Sequence, residues 1–362
     1  MVDLENIQIN PSRKHWYYPA PHECVSAMSE YPELLETKEG EELVTNNQIA
    51  TTPSLPTAFA HRFTPQDYLV PEHWIARLDN ARVFSHNGIV IDSKNRIVEE
   101  LAHEFGDFPL GNRLCHYQGL PEPQRIQGRV LVIPSISGWK NYWHWMGDAL
   151  PRLRGLAEDD YDWVLVPAFK GYSAASVQLC GVPEDKILWA DGASHYLADQ
   201  IIAPRPTPMY CMGSRSIEFL HQAYEVTPSE QPHRKLYLSR GDSRRRRWIN
   251  EEEVVLYLAD FGYEVVQAGE LSLKEQAVLF SEAASIVGPH GAAISNAIFS
   301  PQGMHLVECF SGDFIYPHFY NLSAVRKFHY HGHYSPNEER TPDGLLDLET
   351  LAPIIEKIEA QL

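Results

Sequence analysis

The chain has 362 residues, 44% hydrophobic and 22% charged, the mix of a folded protein long enough for two domains of ordinary size. Its formal net charge of -18 argues against nucleic-acid binding, which needs Lys and Arg to neutralise phosphates. No apolar run is long enough to cross a bilayer, and Met1-Val-Asp-Leu-Glu-Asn lacks the basic-then-apolar start of a secretory signal. The expected location is therefore the cytoplasm, including loose peripheral association with the cytosolic face of a membrane. Five scattered cysteines (Cys24, Cys115, Cys180, Cys211, Cys309) form no Cys-x-x-Cys pair, so reduced, mostly buried thiols are expected.

Residues 1–60, rich in Pro, Glu, Ser and Thr, read as an irregular or partly helical N-terminal extension. Ala81 to Asp92 predicts two short strands around an Asn-Gly turn. Gly128 to Pro134, Asp162 to Pro167 and Lys186 to Ala190 predict buried strands. A helix is expected near Ala174 to Cys180, and another over Trp143 to Gly155 with a kink or break before Pro151. Strands alternating with helices predict a parallel sheet covered on both faces. Pro204-Arg-Pro-Thr-Pro208 reads as a stiff linker.

The second half predicts strands at Lys235–Ser239, Tyr263–Gln267, Ser285–Gly288 and His305–Phe310. Helices are expected at Asn250–Phe261, at Ser272–Ala284 with a Ser272/Glu275 capping box, and at Leu348–Leu362. The expected division is an extension (1–60), a Rossmann-like domain (61–205), a second Rossmann-like domain (206–340) and a C-terminal helix (341–362). Two such domains would face a cleft, with ligands at the carboxyl ends of the strands.

Three runs carry chemistry. Gly288-Pro-His-Gly-Ala-Ala-Ile-Ser-Asn296 follows an apolar strand with small residues and then helix formers, so backbone amides can approach an anion such as a diphosphate. It reads equally as a tight turn with a packed His. Five arginines fall within Arg240–Arg247 of this acidic chain. Arg240 and Arg247, nearest the predicted strand and helix, suit phosphate, whereas Arg244 and Arg245 suit a solvated loop. In Trp139-Lys-Asn-Tyr-Trp-His-Trp-Met-Gly-Asp148, His144 and Asp148 share a helix face and suit proton removal, while Trp139, Tyr142 and Trp143 offer faces for sugar rings. A buried aromatic cluster with a capped His is the other reading. His329, His331 and His333 on one strand face have no acidic or Cys partner nearby in sequence, and Asp160-Tyr-Asp162 immediately precedes an apolar strand, where turn or cap carboxylates are common, so both are read as non-metal features.

Together these runs resemble glycosyltransferase family 61, over roughly residues 80 to 310. The resemblance rests on Ser239-Arg240, Arg246-Arg247, Asn250-Glu251, Gly262 to Val266, Glu270-Leu271-Ser272, Gln276, Val287 to Ala292, Asn296 and Glu308. His144, Trp145, Asp148 and Leu150 to Leu153 complete it. Ala293 and Ser295 depart from the family's usual Gly and Thr. The resemblance implies a GT-B-like α/β fold and metal-independent, inverting transfer from a nucleotide sugar, expected to be UDP-linked, to a glycan acceptor. Polysaccharide or glycoconjugate synthesis is the expected setting, and no cofactor or metal is expected. The implied donor-binding set is Arg240, Arg247, Asn250, Glu270, His290, Gly291, Ala292, Asn296 and Glu308, with Glu308 on a ribose hydroxyl. Asp148 and His144 would be catalytic, and Trp139 and Trp143 would bind acceptor. A non-catalytic nucleotide-sugar or glycan-binding protein and a pyruvyl- or phosphoryl-type transferase are the alternatives.

Overall fold

The computed structural model describes residues 18–21, 24–25, 31–45, 57–64, 66–102, 114, 117–135, 137–168, 171–207, 212–243, 245–312, 314–336 and 343–362. Arg244 and Pro208 lie outside these residues, as do Cys115, Cys211 and most of the expected N-terminal extension. The chain falls into two compact units, 1–41 with 71–209 and 42–70 with 210–362. Both are α/β. Within the described part Cys180 and Cys309 are free thiols.

The strands in chain order begin with β1 (Cys24–Val25), β2 (Leu35–Glu39), β3 (Glu42–Val44), β4 (Tyr68–Val70), β5 (His73–Asp79) and β6 (Arg82–Phe84). They continue with β7 (Ile89–Ile91), β8 (Ile97–Val98), β9 (Gln124–Val132), β10 (Trp163–Pro167), β11 (Ile187–Ala190) and β12 (His195–Pro204). In the first unit β9, β10 and β11 are parallel, as expected, and β6 and β7 form the expected hairpin. The sheet as a whole is mixed, not parallel. Its central strand β12 runs parallel to β9 but antiparallel to β5 and β6. Val130, Val132, Leu165, Ala198 and Ile201 fill the core beside it with Trp74 and Leu78. Neither β5 nor β12 was expected from sequence, and part of the expected extension forms β2, paired with β5.

The expected helix from Trp143 is shorter and irregular. One α-turn over Tyr142–His144 widens to a π-turn at Trp145–Ala149, then tightens to a 3-10 turn at Leu150–Leu153 that accommodates Pro151 near its start. Proline has no N–H to give, so the ladder ends there. A π-turn inside a helix is uncommon and tends to occur at functional positions.

In the second unit the strands are β13 (Arg234–Leu238), β14 (Glu264–Val266), β15 (Ala283–Pro289), β16 (His305–Ser311) and β17 (His329–Ser335). They form a wholly parallel sheet in the order β14-β13-β15-β16-β17. Helices Glu251–Ala259 and Leu348–Glu359 pack against one face through Val254, Leu258, Leu351, Ile355 and Ile358, meeting Tyr237, Val287 and Val307. Ile286 and Leu306 alternate with these and point the other way. The strand order reverses between β13 and β15. In open α/β sheets that reversal opens a crevice at the carboxyl edge, where ligands bind.

Residues 42–70 join this second unit through specific contacts rather than pattern. The Glu42 carboxylate accepts from the Ser214 amide at 2.8 Å, at the start of helix Ser214–Ala223. Arg62 Nη1 donates to the Ile315 carbonyl at 2.8 Å, and Phe63 packs edge-on against Phe310 and Tyr320.

Helix Leu273–Ser281 begins with the expected capping box. Ser272 Oγ accepts from the Glu275 amide at 3.3 Å, and Glu275 accepts from the Ser272 amide at 2.8 Å. Ser272→Ala should lower the stability of this unit by about 1 kcal/mol in chemical denaturation. An unchanged unfolding midpoint would show that the box contributes nothing.

Candidate donor-binding site

At the strand-order reversal, β13 runs into Ser239-Arg240 and β15 into His290-Gly291. The two strands approach closely: a Cβ at Gly288 would lie 2.9 Å from Leu238 Cβ. A Cβ at Gly291 would lie 2.0 Å from Arg240 Nη1, so only glycine lets this guanidinium rest on the turn. The φ of Gly291 is 178°, an extended value open to any residue, so the requirement is one of space and not of backbone strain.

Arg240 is held by donation to Ser243 Oγ at 2.8 Å and to the Arg245 carbonyl at 3.2 Å. Arg246 reaches the same turn. Its Nη1 donates to the His290 carbonyl at 2.9 Å, and its guanidinium lies 4.4 Å from the centre of the Phe314 ring. Burial lowers the Arg246 pKa to about 10, with the charges of Arg240 and Arg245 adding to the effect. Burial also lowers Arg240. Among the described residues neither guanidinium has a carboxylate within ion-pair distance. Two half-buried like charges side by side leave a site that favours an anion.

Arg247, and not Arg246, is the arginine expected here from sequence. Arg247 instead points outward and pairs with Asp343 through Nε at 3.1 Å and Nη2 at 2.8 Å. The left-handed backbone at Arg246, with φ of 59°, separates the two side chains. Residue type could not have distinguished two adjacent arginines; only the turn geometry does.

His290 is buried among aromatic rings, stacked on Phe310 at 5.2 Å with Phe314 at 5.4 Å. Its Nδ1 is hydrogen-bonded to Glu308, whose other oxygen accepts from Tyr330 Oη at 2.6 Å. Burial holds the imidazole neutral, its pKa well below the ordinary value, with the Arg246 and Arg240 charges acting in the same direction. Burial pushes the Glu308 carboxyl up to about 8. Glu308 is fully enclosed with both oxygens engaged, so the geometry gives it to His290 rather than to a ribose hydroxyl. A protonated Glu308 donating to Nδ1 leaves the proton of the ring on Nε2, where it can be given to a phosphate oxygen.

The rest of the expected donor set divides between the site and its supports. The 3-10 helix Ala292–Phe299, not an α-helix, follows Gly291, and Ala292 is its half-buried first residue. Asn296 is buried in that helix. Its Nδ2 donates to Gln276 Oε1 at 2.7 Å, and Gln276 Nε2 donates to the Leu271 carbonyl at 3.0 Å, which ties the turn to its neighbour helix. Asn250 is likewise a staple: Nδ2 donates to the Leu346 carbonyl at 3.0 Å and Oδ1 accepts from the Leu346 amide at 2.9 Å. Glu270 is exposed after β14, on the same carboxyl edge of the sheet.

In the first unit His144 Nδ1 and Asp148 Oδ2 are 2.6 Å apart, the pairing expected from their spacing. Trp143 is 4% exposed, so it cannot present a ring face to a sugar and is part of the core. Trp139 is half-buried, with His86 at 4.3 Å and the Lys140 ammonium at 5.5 Å from its ring. Among the described residues no group of three His, Cys, Asp or Glu is placed to hold a metal ion. The strand histidines serve other contacts, His331 beside His305 at 3.4 Å and His333 bonded to Thr350 at 2.9 Å. Asp160 and Asp162 are each paired with an arginine, Arg77 and Arg129.

The raised Glu308 pKa has a consequence for stability. Between its unfolded value near 4.5 and about 8, the folded state holds the Glu308 proton more tightly than the unfolded chain. Its contribution to stability is therefore present below that window and lost as pH rises through it. Glu308→Gln removes the titration, so the variant's stability relative to the parent should rise between pH 5 and pH 8. Denaturation across that range measures it, and a difference independent of pH would contradict the assignment.

Residues 142–307 match the family model described as Glycosyltransferase 61. That span holds His144, Asp148, Arg240, Arg246 and the whole turn from Gly288 to Asn296, and it ends one residue before Glu308. No curated protein matches the chain. The motif order and the family model agree that this span is similar to glycosyltransferase family 61.

Proposed function

We propose that the protein transfers a sugar from a nucleotide-sugar donor, UDP-linked, to a glycan acceptor in the cytoplasm, as a GT-B-type, inverting and metal-independent enzyme. The observation that carries this reading is the pair of half-buried guanidiniums, Arg240 and Arg246, set on the Gly291 turn where the parallel sheet reverses its order, with no carboxylate in ion-pair distance among the described residues. A diphosphate there would relieve their mutual repulsion. As the bond to the anomeric carbon breaks, charge grows on the departing diphosphate, and preorganised cations are strongest where charge develops. His290 would add a hydrogen bond from Nε2, with Glu308 and Tyr330 fixing its ring.

The acceptor hydroxyl must lose its proton as it attacks. His144 and Asp148 are the pair we assign to that step, Asp148 orienting the imidazole or taking the proton itself. Attack from the face opposite the leaving group gives inversion, which product stereochemistry reads directly.

A thermal-shift screen of nucleotide sugars identifies the donor, since a ligand of the folded state raises the melting temperature. With that donor, Arg240→Ala and Arg246→Ala should each lower kcat by about a hundredfold or more, the scale of losing one transition-state donor. Arg247→Ala should change kcat by less than about threefold, as expected for an exposed ion pair. Wild-type turnover in both Arg240→Ala and Arg246→Ala would refute the donor site. Turnover that falls in EDTA and returns with a divalent cation would refute metal independence.

A further inference from the structure

A second polar site lies at the opposite edge of the same sheet. His221, Ser229, Glu230, Pro301, Gln302 and Arg326 line a cavity of about 460 Å³ in the second unit. Pro301 and Gln302 precede β16, so this cavity faces the amino ends of the strands, whereas the Gly291 turn caps their carboxyl ends. Its volume falls in the range of small-molecule sites.

Arg326 is the unusual member. It ends helix His318–Arg326 and is 9% exposed. Its Nη2 donates to the Ser300 carbonyl, just past the 3-10 helix, and Nε is buried with no hydrogen-bond partner among the described residues. No described carboxylate pairs with it. The lining carboxylate, Glu230, is exposed, and no acidic group offsets the effect of burial on Arg326, whose pKa falls to about 10. Carbonyls at two helix ends offset part of the charge. A nearly buried guanidinium without a described carboxylate, lining a cavity of this size, still calls for an anion.

We propose that this cavity binds a small phosphorylated molecule, with Arg326 as the phosphate-binding cation. Ser229 Oγ and the Gln302 amide are uncharged groups on the same wall that can donate to the remaining phosphate oxygens. A tetrahedral oxyanion takes donors from several directions at once, which suits this arrangement. The site is separate from the donor turn and does not depend on its assignment.

Calorimetric titration with inorganic phosphate, against chloride at matched ionic strength, tests the proposal. The full chain should bind phosphate. Arg326→Met should weaken that binding by about tenfold or more, the scale of losing one charge-assisted pair. Arg246→Gln, which alters the other edge of the sheet, should keep the Arg326-dependent binding. Glu230→Gln, an exposed change, should tighten phosphate binding by removing a like charge from the rim, and this arm stands even if Arg326→Met fails to fold. Absent binding to the parent chain overturns the proposal, as does parent affinity in Arg326→Met, loss of all binding in Arg246→Gln, or unchanged affinity in Glu230→Gln. Once phosphate binds, a hexose phosphate competing more strongly would mark an organic ligand, and equal competition would mark free phosphate; either outcome supports the site.

Discussion

Two positive charges held side by side, with no carboxylate in ion-pair distance among the described residues, are the constraint on which the second unit's site depends. Arg240 and Arg246 reach the turn after β15 from one loop. Burial lowers the proton affinity of both, and the Arg240 charge lowers that of Arg246 further. A fold carries such a cost where something it gains depends on it. The topology shows where: both arginines stand at the reversal of strand order, on the edge where an open parallel sheet admits ligands.

The neighbouring polar groups keep that arrangement fixed. Glu308 and Tyr330 lock the His290 ring from below, while Gln276 and Asn296 tie the following 3-10 helix to helix Leu273–Ser281. All of these groups are buried, so each would be costly if left unpaired. Gly291 completes the site by absence, because any side chain would displace Arg240. Charge, hydrogen bonding and space thus act on one turn. The 142–307 family match spans this turn and the His144–Asp148 pair of the first unit.

Much of the second unit was legible because its physics is local. Four of its five strands hold short apolar runs, the exception being the histidine-rich β17; the Ser272 capping box is a four-residue pattern, and the Gly288–Asn296 turn announces itself through small residues. The first unit was less so. β12 carries Asp199 and Gln200 in its middle and ends on Pro204, so neither alternation nor an apolar run marks it; its place comes from pairing with β5, β6 and β9. Residues 42–70 join the second unit through Glu42 and Arg62, contacts that no local pattern encodes. Trp143 has the composition of a sugar platform but lies in the core, since an aromatic on a helix suits either place. Arg246 and Arg247 are identical neighbours, and a single left-handed φ decides which one meets the turn. The family resemblance gives Glu308 a ribose contact. Only the fold shows that His290 and Tyr330 occupy it.

The most direct test of the central claim is the affinity of UDP for three forms of the chain, measured by calorimetry. The account predicts that Arg246→Gln weakens UDP binding by about tenfold or more relative to the parent, the scale of one lost charge-assisted contact. It also predicts that Arg247→Gln leaves that affinity within about twofold, as an exposed ion pair to Asp343 requires. Equal losses in the two variants, or UDP binding indifferent to Arg246, would contradict it.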